Sequence, residues 1–137
     1  MNSLNILLVE DNESDIMLIR LALEDVEIVR SLTAVNNGHE ALQYLTKEDT
    51  ILPDLILLDI NMPVMDGLEA LEKIKANDSI KQIPVIMLTT SSRKEDIIKS
   101  YKAHSNSYII KPNDITGLDK VAEVIRDYWQ NTVRLPK

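Results

Sequence analysis

No cysteine occurs among the 137 residues. A disulfide, a thiolate metal site and a thiol nucleophile are therefore all excluded. Basic stretches are missing too, and the formal net charge is -7. That argues against nucleic-acid binding through the chain's own surface, which needs clustered Lys and Arg to meet phosphates. No segment approaches the roughly eighteen apolar residues of a membrane span. The first residues, Met1-Asn-Ser-Leu-Asn, lack the basic and long apolar parts of a signal sequence. No internal repeat, low-complexity tract or linker interrupts the chain. These absences point to a cytoplasmic protein. With 45% hydrophobic and 27% charged residues it reads as globular. Its length suits one domain, residues 1–137, with a short tail of about six residues and no room for a DNA-binding module.

What is present centres on Asp54-Leu-Ile-Leu-Leu-Asp59-Ile-Asn-Met-Pro63-Val-Met-Asp66-Gly67. Leu55 to Leu58 is a continuous apolar run without period-2 alternation, which fits a strand buried on both faces of a parallel sheet. It ends on a carboxylate, Asp59, and Asn61, Pro63 and Gly67 take the backbone out of the sheet at once.

Other runs end in the same way. Leu4 to Val9 ends on Glu10-Asp11, and Asn12-Glu13-Ser14-Asp15 then offers caps and first-turn acids to a helix carrying Ile16, Leu18, Ile19, Leu21 and Leu23. Ile28 to Val35 is a second strand, followed by a turn at Asn36-Asn37-Gly38 and a helix from His39 to Thr46. Gly67 to Ala76 is amphipathic, with Leu68, Leu71 and Ile74 on one face. Pro84 to Thr90 is a strand ending in hydroxyls, and Glu95 to Ala103 a helix. Ser107 to Ile110 is a strand ending on Lys111-Pro112, and the last helix runs from Ile115 to about Asn131. Five alternations of strand and helix predict an α/β fold with a five-stranded parallel sheet covered on both faces.

In such a sheet the strand ends share one edge, the edge where ligands bind. Glu10, Asp11, Asp59, the hydroxyls of Thr89 and Thr90, and Lys111 would converge there. Hard carboxylate oxygens without His or Cys favour Mg²⁺ shared with a phosphate. Lys111 supplies a compact cation for a carboxylate or a phosphoryl oxygen, and Thr89 a hydroxyl donor. An Asp carboxylate can itself be the nucleophile and become an aspartyl phosphate.

In order and spacing, Leu-Val-Glu10-Asp11, Leu-Leu-Asp59-Ile-Asn-Met-Pro-Val-Met-Asp-Gly67, Pro-Val-Ile-Met-Leu-Thr89 and Tyr108-Ile-Ile-Lys111-Pro112 resemble the receiver domains of two-component response regulators, from about Leu4 to Tyr128. The resemblance implies a flavodoxin-like, doubly wound (βα)5 fold with strand order 2-1-3-4-5. It implies that Asp59 accepts a phosphoryl group from a sensor histidine kinase, and that Glu10, Asp11, Asp59 and the Asn61 carbonyl hold Mg²⁺. Thr89 and Lys111 would contact the phosphoryl group, Tyr108 would be the aromatic switch coupled to Thr89, and Lys111-Pro112 would be a cis peptide. Kinase specificity would lie in first-helix surface residues such as Ile16, Ile19 and Arg20. Output would be partner binding or a homodimer through the fourth helix, fifth strand and fifth helix, in a phosphoacceptor with at most slow self-dephosphorylation rather than an enzyme.

The chain departs from the usual receiver pattern at two places. Thr90 stands where Ala or Gly is common, and its bulk would slow access to the phosphate. His104-Ser105 replaces a frequent Gly-Ala. Ser100 to Tyr108 and the ending Tyr128-Trp129-Gln-Asn-Thr-Val133-Arg-Leu-Pro136 look more like the small receivers paired with bacterial phytochrome-type kinases. The competing reading is a Mg²⁺-dependent aspartyl-phosphate phosphohydrolase. Such enzymes usually carry a second Asp two residues after the nucleophile, where this chain has Asn61. A nucleotide-binding flavodoxin-like module is disfavoured by the acidic Glu10-Asp11-Asn12-Glu13 in place of a phosphate loop. Asp66-Gly67 reads as a turn and helix start, His39 and His104 as surface residues, and Trp129 with Val133 and Leu135 as groups packing on a surface of this copy or a second one.

Overall fold

The structure, a computed structural model, describes residues 3–132. Strands β1 (Leu4–Val9), β2 (Val29–Val35), β3 (Leu55–Leu58), β4 (Val85–Thr89) and β5 (Ser107–Ile110) form one sheet in the order β2-β1-β3-β4-β5. Every neighbouring pair is parallel. Helices α1 (Glu13–Asp25), α2 (Gly38–Thr46), α3 (Gly67–Ala76), α4 (Lys94–Lys102) and α5 (Ile115–Arg126) alternate with the strands.

Alternation within the central strands divides the core in two. Leu4, Ile6 and Leu8 of β1 pack with Leu55 and Leu57 against Ile19 and Leu23 of α1 and Leu118 and Ile125 of α5. Leu7 and Val9 point the other way, with Ile56 and Leu58, toward Ala41 and Leu45 of α2 and Ala70, Leu71 and Ile74 of α3. A residue such as Leu57 is fully buried, so truncating it to Ala would cost about 2–5 kcal/mol.

The helix starts follow the capping chemistry of the sequence. The side chains of Asn12, Asn37, Asp66 and Asp114 accept from the backbone N–H groups of Asp15, Glu40, Glu69 and Gly117. Gly67 is needed for a close approach: its N–H donates to the Ile60 carbonyl at 2.8 Å, and a Cβ there would collide with the Asp59 carbonyl oxygen. This packs the start of α3 directly under the end of β3.

Several expectations are corrected. The Lys111–Pro112 peptide is trans, the isomer an X–Pro bond favours by about 0.5–1 kcal/mol. With this bond trans, Lys111 N–H donates to the Thr89 carbonyl at 2.7 Å and the ammonium reaches Glu10. Ile19 is buried, so it belongs to the core and not to a recognition surface; Met17 and Leu21 are the exposed apolar residues of α1. The helical period places Ile19 with Ala22 and Leu23 on the inward face. Past Arg126 the last helix continues as a wider π-helical segment, Asp127–Thr132. Trp129 lies there and is buried in the α1/α5 side of this chain's own core, so it is not an exposed interface anchor. Val133 and Leu135 lie outside the described residues.

Candidate functional site at the carboxyl edge of the sheet

Register places the key groups side by side. Val9 of β1 pairs with Leu58 of β3, so Glu10 and Asp59 leave the sheet together. Asp59 N–H donates to the Val9 carbonyl at 3.0 Å, which fixes that stagger. Carboxylate oxygens of Glu10, Asp11 and Asp59 lie within 4.8 Å of one another. Glu10 and Asp59 are buried and Asp11 is exposed. Glu10 Oε2 accepts from Asn12 N–H at 3.1 Å, and Asp59 Oδ1 accepts from Ile60 N–H at 2.8 Å. The second Asp59 oxygen faces Lys111.

Lys111 follows β5 on the far side of β4, and its long stem spans the gap. Its ammonium donates to Glu10 Oε1 and to Asp15 Oδ2 at 3.0 Å, and stands 3.9 Å from Asp59 Oδ2. Three carboxylates thus share one ammonium, and Asp11 stands beside Glu10 and Asp59, a local excess of negative charge. Both titrations respond in the same direction. Burial pushes the Glu10 carboxyl above its usual range and Asp59 adds to this, while the Lys111 hydrogen bond opposes it. Burial pulls the Lys111 ammonium down, but the hydrogen bonds to Glu10 and Asp15 and the charge of Asp59 outweigh it and hold its pKa above the usual value. Lys111 therefore stays charged. An all-oxygen donor set with surplus negative charge suits a hard divalent cation.

The remaining predicted residues sit around this centre. Asn61 is exposed in the β3–α3 loop, and Thr90 is exposed at the end of β4. Thr89 is fully buried, and its Oγ1 accepts from Ser91 N–H at 3.3 Å. Tyr108 donates through its hydroxyl to the Ser91 carbonyl at 2.8 Å, and burial pushes its pKa up. Ser91 Oγ donates in turn to the buried carboxylate of Asp96 at 2.6 Å. Thr89 and Tyr108 are therefore linked through one residue, Ser91. In the β3–α3 loop Val64 holds a left-handed backbone, φ 67°, and is 82% exposed, a conformation unfavourable for a β-branched residue.

The family model described as the response regulator receiver domain matches residues 6–123. The chain is a receiver domain of the response regulator family. Response regulator Rcp1 of Synechocystis sp. is 40% identical over 135 residues, covering 96% of this receiver and 92% of Rcp1. The crystal structure of the phosphorylated cyanobacterial phytochrome response regulator RcpA superposes with a TM-score of 0.92 at 40% identity, over 98% of this receiver and 99% of RcpA. The Mn²⁺-bound form of Rcp1 gives 0.90 at 39% identity, over 98% and 99%. Receivers of this family act with sensor histidine kinases in two-component signalling, and the five-stranded 2-1-3-4-5 architecture of this one matches theirs. None of these relatives supports the phosphohydrolase alternative. No helix among the described residues is long and apolar enough to cross a membrane.

Sequence reasoning missed three participants. Asp15 reads as an ordinary first-turn acid, and only the fold carries it to Lys111. Ser91 and Asp96 sit in polar stretches that any loop or helix start would tolerate, so their contacts with Tyr108 and with each other leave no signal.

Proposed function

We propose that this receiver accepts a phosphoryl group on Asp59 from a phosphohistidine of a sensor kinase, and that the modification changes what the chain binds. The observation that carries the reading is the buried Asp59 carboxylate with oxygens of Glu10 and Asp11 within 4.8 Å and the Lys111 ammonium 3.9 Å away. Asp59 has one oxygen held by Ile60 N–H. The other is free to attack phosphorus. As the new O–P bond forms, the P–N bond of the donor breaks and its electron pair returns to the imidazole.

Glu10, Asp11 and Asp59, with the backbone carbonyl of Asn61, are the groups that would hold Mg²⁺, which when bound offsets their mutual repulsion and draws charge from the phosphoryl oxygens. Lys111 would meet one of those oxygens, and Thr89 would give up Ser91 N–H to meet another. Moving Thr89 would disturb Ser91 and through it Tyr108, whose hydroxyl is bonded to the Ser91 carbonyl. Tyr108 lies in β5, and exposed apolar side chains stand on α4 (Ile98, Tyr101), on β5 (Ile110), on α5 (Val124) and just past it (Tyr128). Such exposed apolar groups suit a second copy, so self-association is the output we assign, with dephosphorylation slow and uncatalysed by any further acid or base at position 61. The name of RcpA supports a kinase of the phytochrome type.

The test is intact mass after incubation with acetyl phosphate and Mg²⁺. One added phosphoryl group, removed by hydroxylamine and absent from Asp59→Asn, is expected. Unchanged uptake by Asp59→Asn would remove Asp59 from the reaction. Sedimentation with and without beryllofluoride tests self-association, and a monomer under both conditions at tens of micromolar would end that part of the reading.

A further inference from the structure

We infer that Asp15 is a positioning residue that holds the Lys111 ammonium back from Asp59 and so weakens the grip of the site on a phosphoryl group. The inference rests on the assignment of Asp59 as phosphoacceptor. Lys111 Nζ is 3.0 Å from Asp15 Oδ2 and 3.9 Å from Asp59 Oδ2. The ammonium has three hydrogens, and Glu10 and Asp15 each accept one of them.

Asp15 is not occupied as a helix cap. Asn12 already accepts from Asp15 N–H at 2.9 Å. A carboxylate at this third helical position commonly reaches back to the N–H of the capping residue. Here that N–H, of Asn12, is taken by Glu10 Oε2. The Asp15 carboxylate is thereby free to turn to Lys111. Glu13, in the same turn and exposed, supplies a second first-turn acid that complements the helix dipole.

Depth decides which of the two partners yields. The Glu10 side chain is 2% exposed and the Asp15 side chain 34% exposed. Stripping Glu10 of its ammonium would leave a buried, unpaired charge, whereas Asp15 can exchange Lys111 for water. When a phosphoryl group with its surplus negative charge arrives on Asp59, Lys111 keeps Glu10 and leaves Asp15. That exchange is work done against the phosphorylated state. Asp15 thus acts as a counterweight set beside the reaction and touches neither the phosphoryl group nor the metal ligands.

The probe is beryllofluoride with Mg²⁺, its affinity read by fluorine NMR. Asp15→Asn should bind about fivefold tighter than the parent, close to 1 kcal/mol. Glu13→Gln, which removes the same charge from the same turn without touching Lys111, should stay within twofold. In a Lys111→Gln background the gain from Asp15→Asn should vanish, because it acts only through the ammonium. Circular dichroism establishes that this background is folded; if it is not, the comparison of Asp15→Asn with Glu13→Gln decides alone. Affinity of Asp15→Asn within twofold of the parent, or an equal gain in Glu13→Gln, overturns the inference while a parent that takes phosphate normally leaves the phosphoacceptor reading standing. A parent that takes no phosphate from acetyl phosphate overturns both.

Discussion

Replacing Asp59 by Asn should not destabilise the protein when no divalent ion is present. The usual penalty for breaking a buried ion pair is about 3–5 kcal/mol, because a charge is left unpaired. Here the surviving Lys111 keeps Glu10 and Asp15, so no charge is stranded. The Asn side-chain oxygen can still accept from Ile60 N–H, the bond Asp59 Oδ1 makes at 2.8 Å. What changes is the field. With an effective dielectric constant of about 20, the 3.9 Å separation from Lys111 gives Asp59 roughly 4 kcal/mol of attraction. Glu10, no farther than 4.8 Å, opposes it with at least about 3.5 kcal/mol, and the exposed Asp11 adds about 1 kcal/mol at a water-like dielectric. Attraction and repulsion nearly cancel, and any approach closer than 4.8 Å tips the balance to repulsion. Asp59→Asn should therefore unfold in urea with a stability equal to the parent or up to about 2 kcal/mol greater in EDTA. Adding Mg²⁺ should reverse the order. An ion at about a hundred times its dissociation constant stabilises the folded parent by about 2.7 kcal/mol, and the variant, short of one ligand, gains less. The paired measurement is urea unfolding of both proteins in EDTA and in saturating Mg²⁺. A variant more than about 3 kcal/mol less stable than the parent in EDTA, or an equal gain from Mg²⁺ in both, would refute the electrostatic reasoning.

Three further outcomes are expected. Asp11→Ala should weaken Mg²⁺ binding, measured by calorimetry, more than Glu10→Gln, since Glu10 is committed to Lys111 and Asn12 and would reach the ion through a water that can be replaced; equal losses would refute the ranking. Val64→Gly should stabilise the fold by about 1 kcal/mol, because glycine adopts the left-handed backbone freely and the exposed valine side chain packs on little; a loss of stability in thermal unfolding would show that Val64 makes contacts worth more than its strain. Tyr108 has its pKa raised by burial, so the folded state favours the neutral phenol. Its contribution should be complete below about pH 10, the unfolded value, and be lost as pH rises through the folded value; Tyr108→Phe should flatten that alkaline decline, and an unchanged slope would discount the burial.

The sheet is legible in the sequence because doubly buried parallel strands must be written as apolar runs. Their polar successors, Glu10, Asp11, Asp59 and Lys111, could only belong to the open edge. Thr89, the last residue of its strand, can be placed for the same reason, and Tyr108 by the receiver resemblance, but not their connection. That depends on Ser91, whose backbone carbonyl bonds Tyr108 and whose hydroxyl bonds Asp96, and a backbone carbonyl carries no residue-type signal. Asp15 is hidden by ambiguity, because an acid in a first turn already has a sufficient local reason to be there. Ile19 misleads for want of the third dimension, because a helix face is inward only relative to the sheet it meets, whereas Trp129 follows Leu118, Ala122 and Ile125 at helical spacing and packs with them in this chain's own core.

The single tryptophan also determines what can be watched. Trp129 packs with Leu118, Ala122 and Ile125, and its ring meets Tyr128 edge-on at 4.6 Å. Tyr108 is packed against the opposite core, beyond the sheet. Ultraviolet emission from the one indole therefore reports on the α1/α5 half of the molecule, and a rearrangement confined to Thr89, Ser91 and Tyr108 is optically silent to it. A spectroscopist following this protein by its native fluorescence would see it melt, and would see it signal only once the change reached Tyr128 on the self-association face; an indole placed on the Tyr108 side of the sheet would report the switch itself.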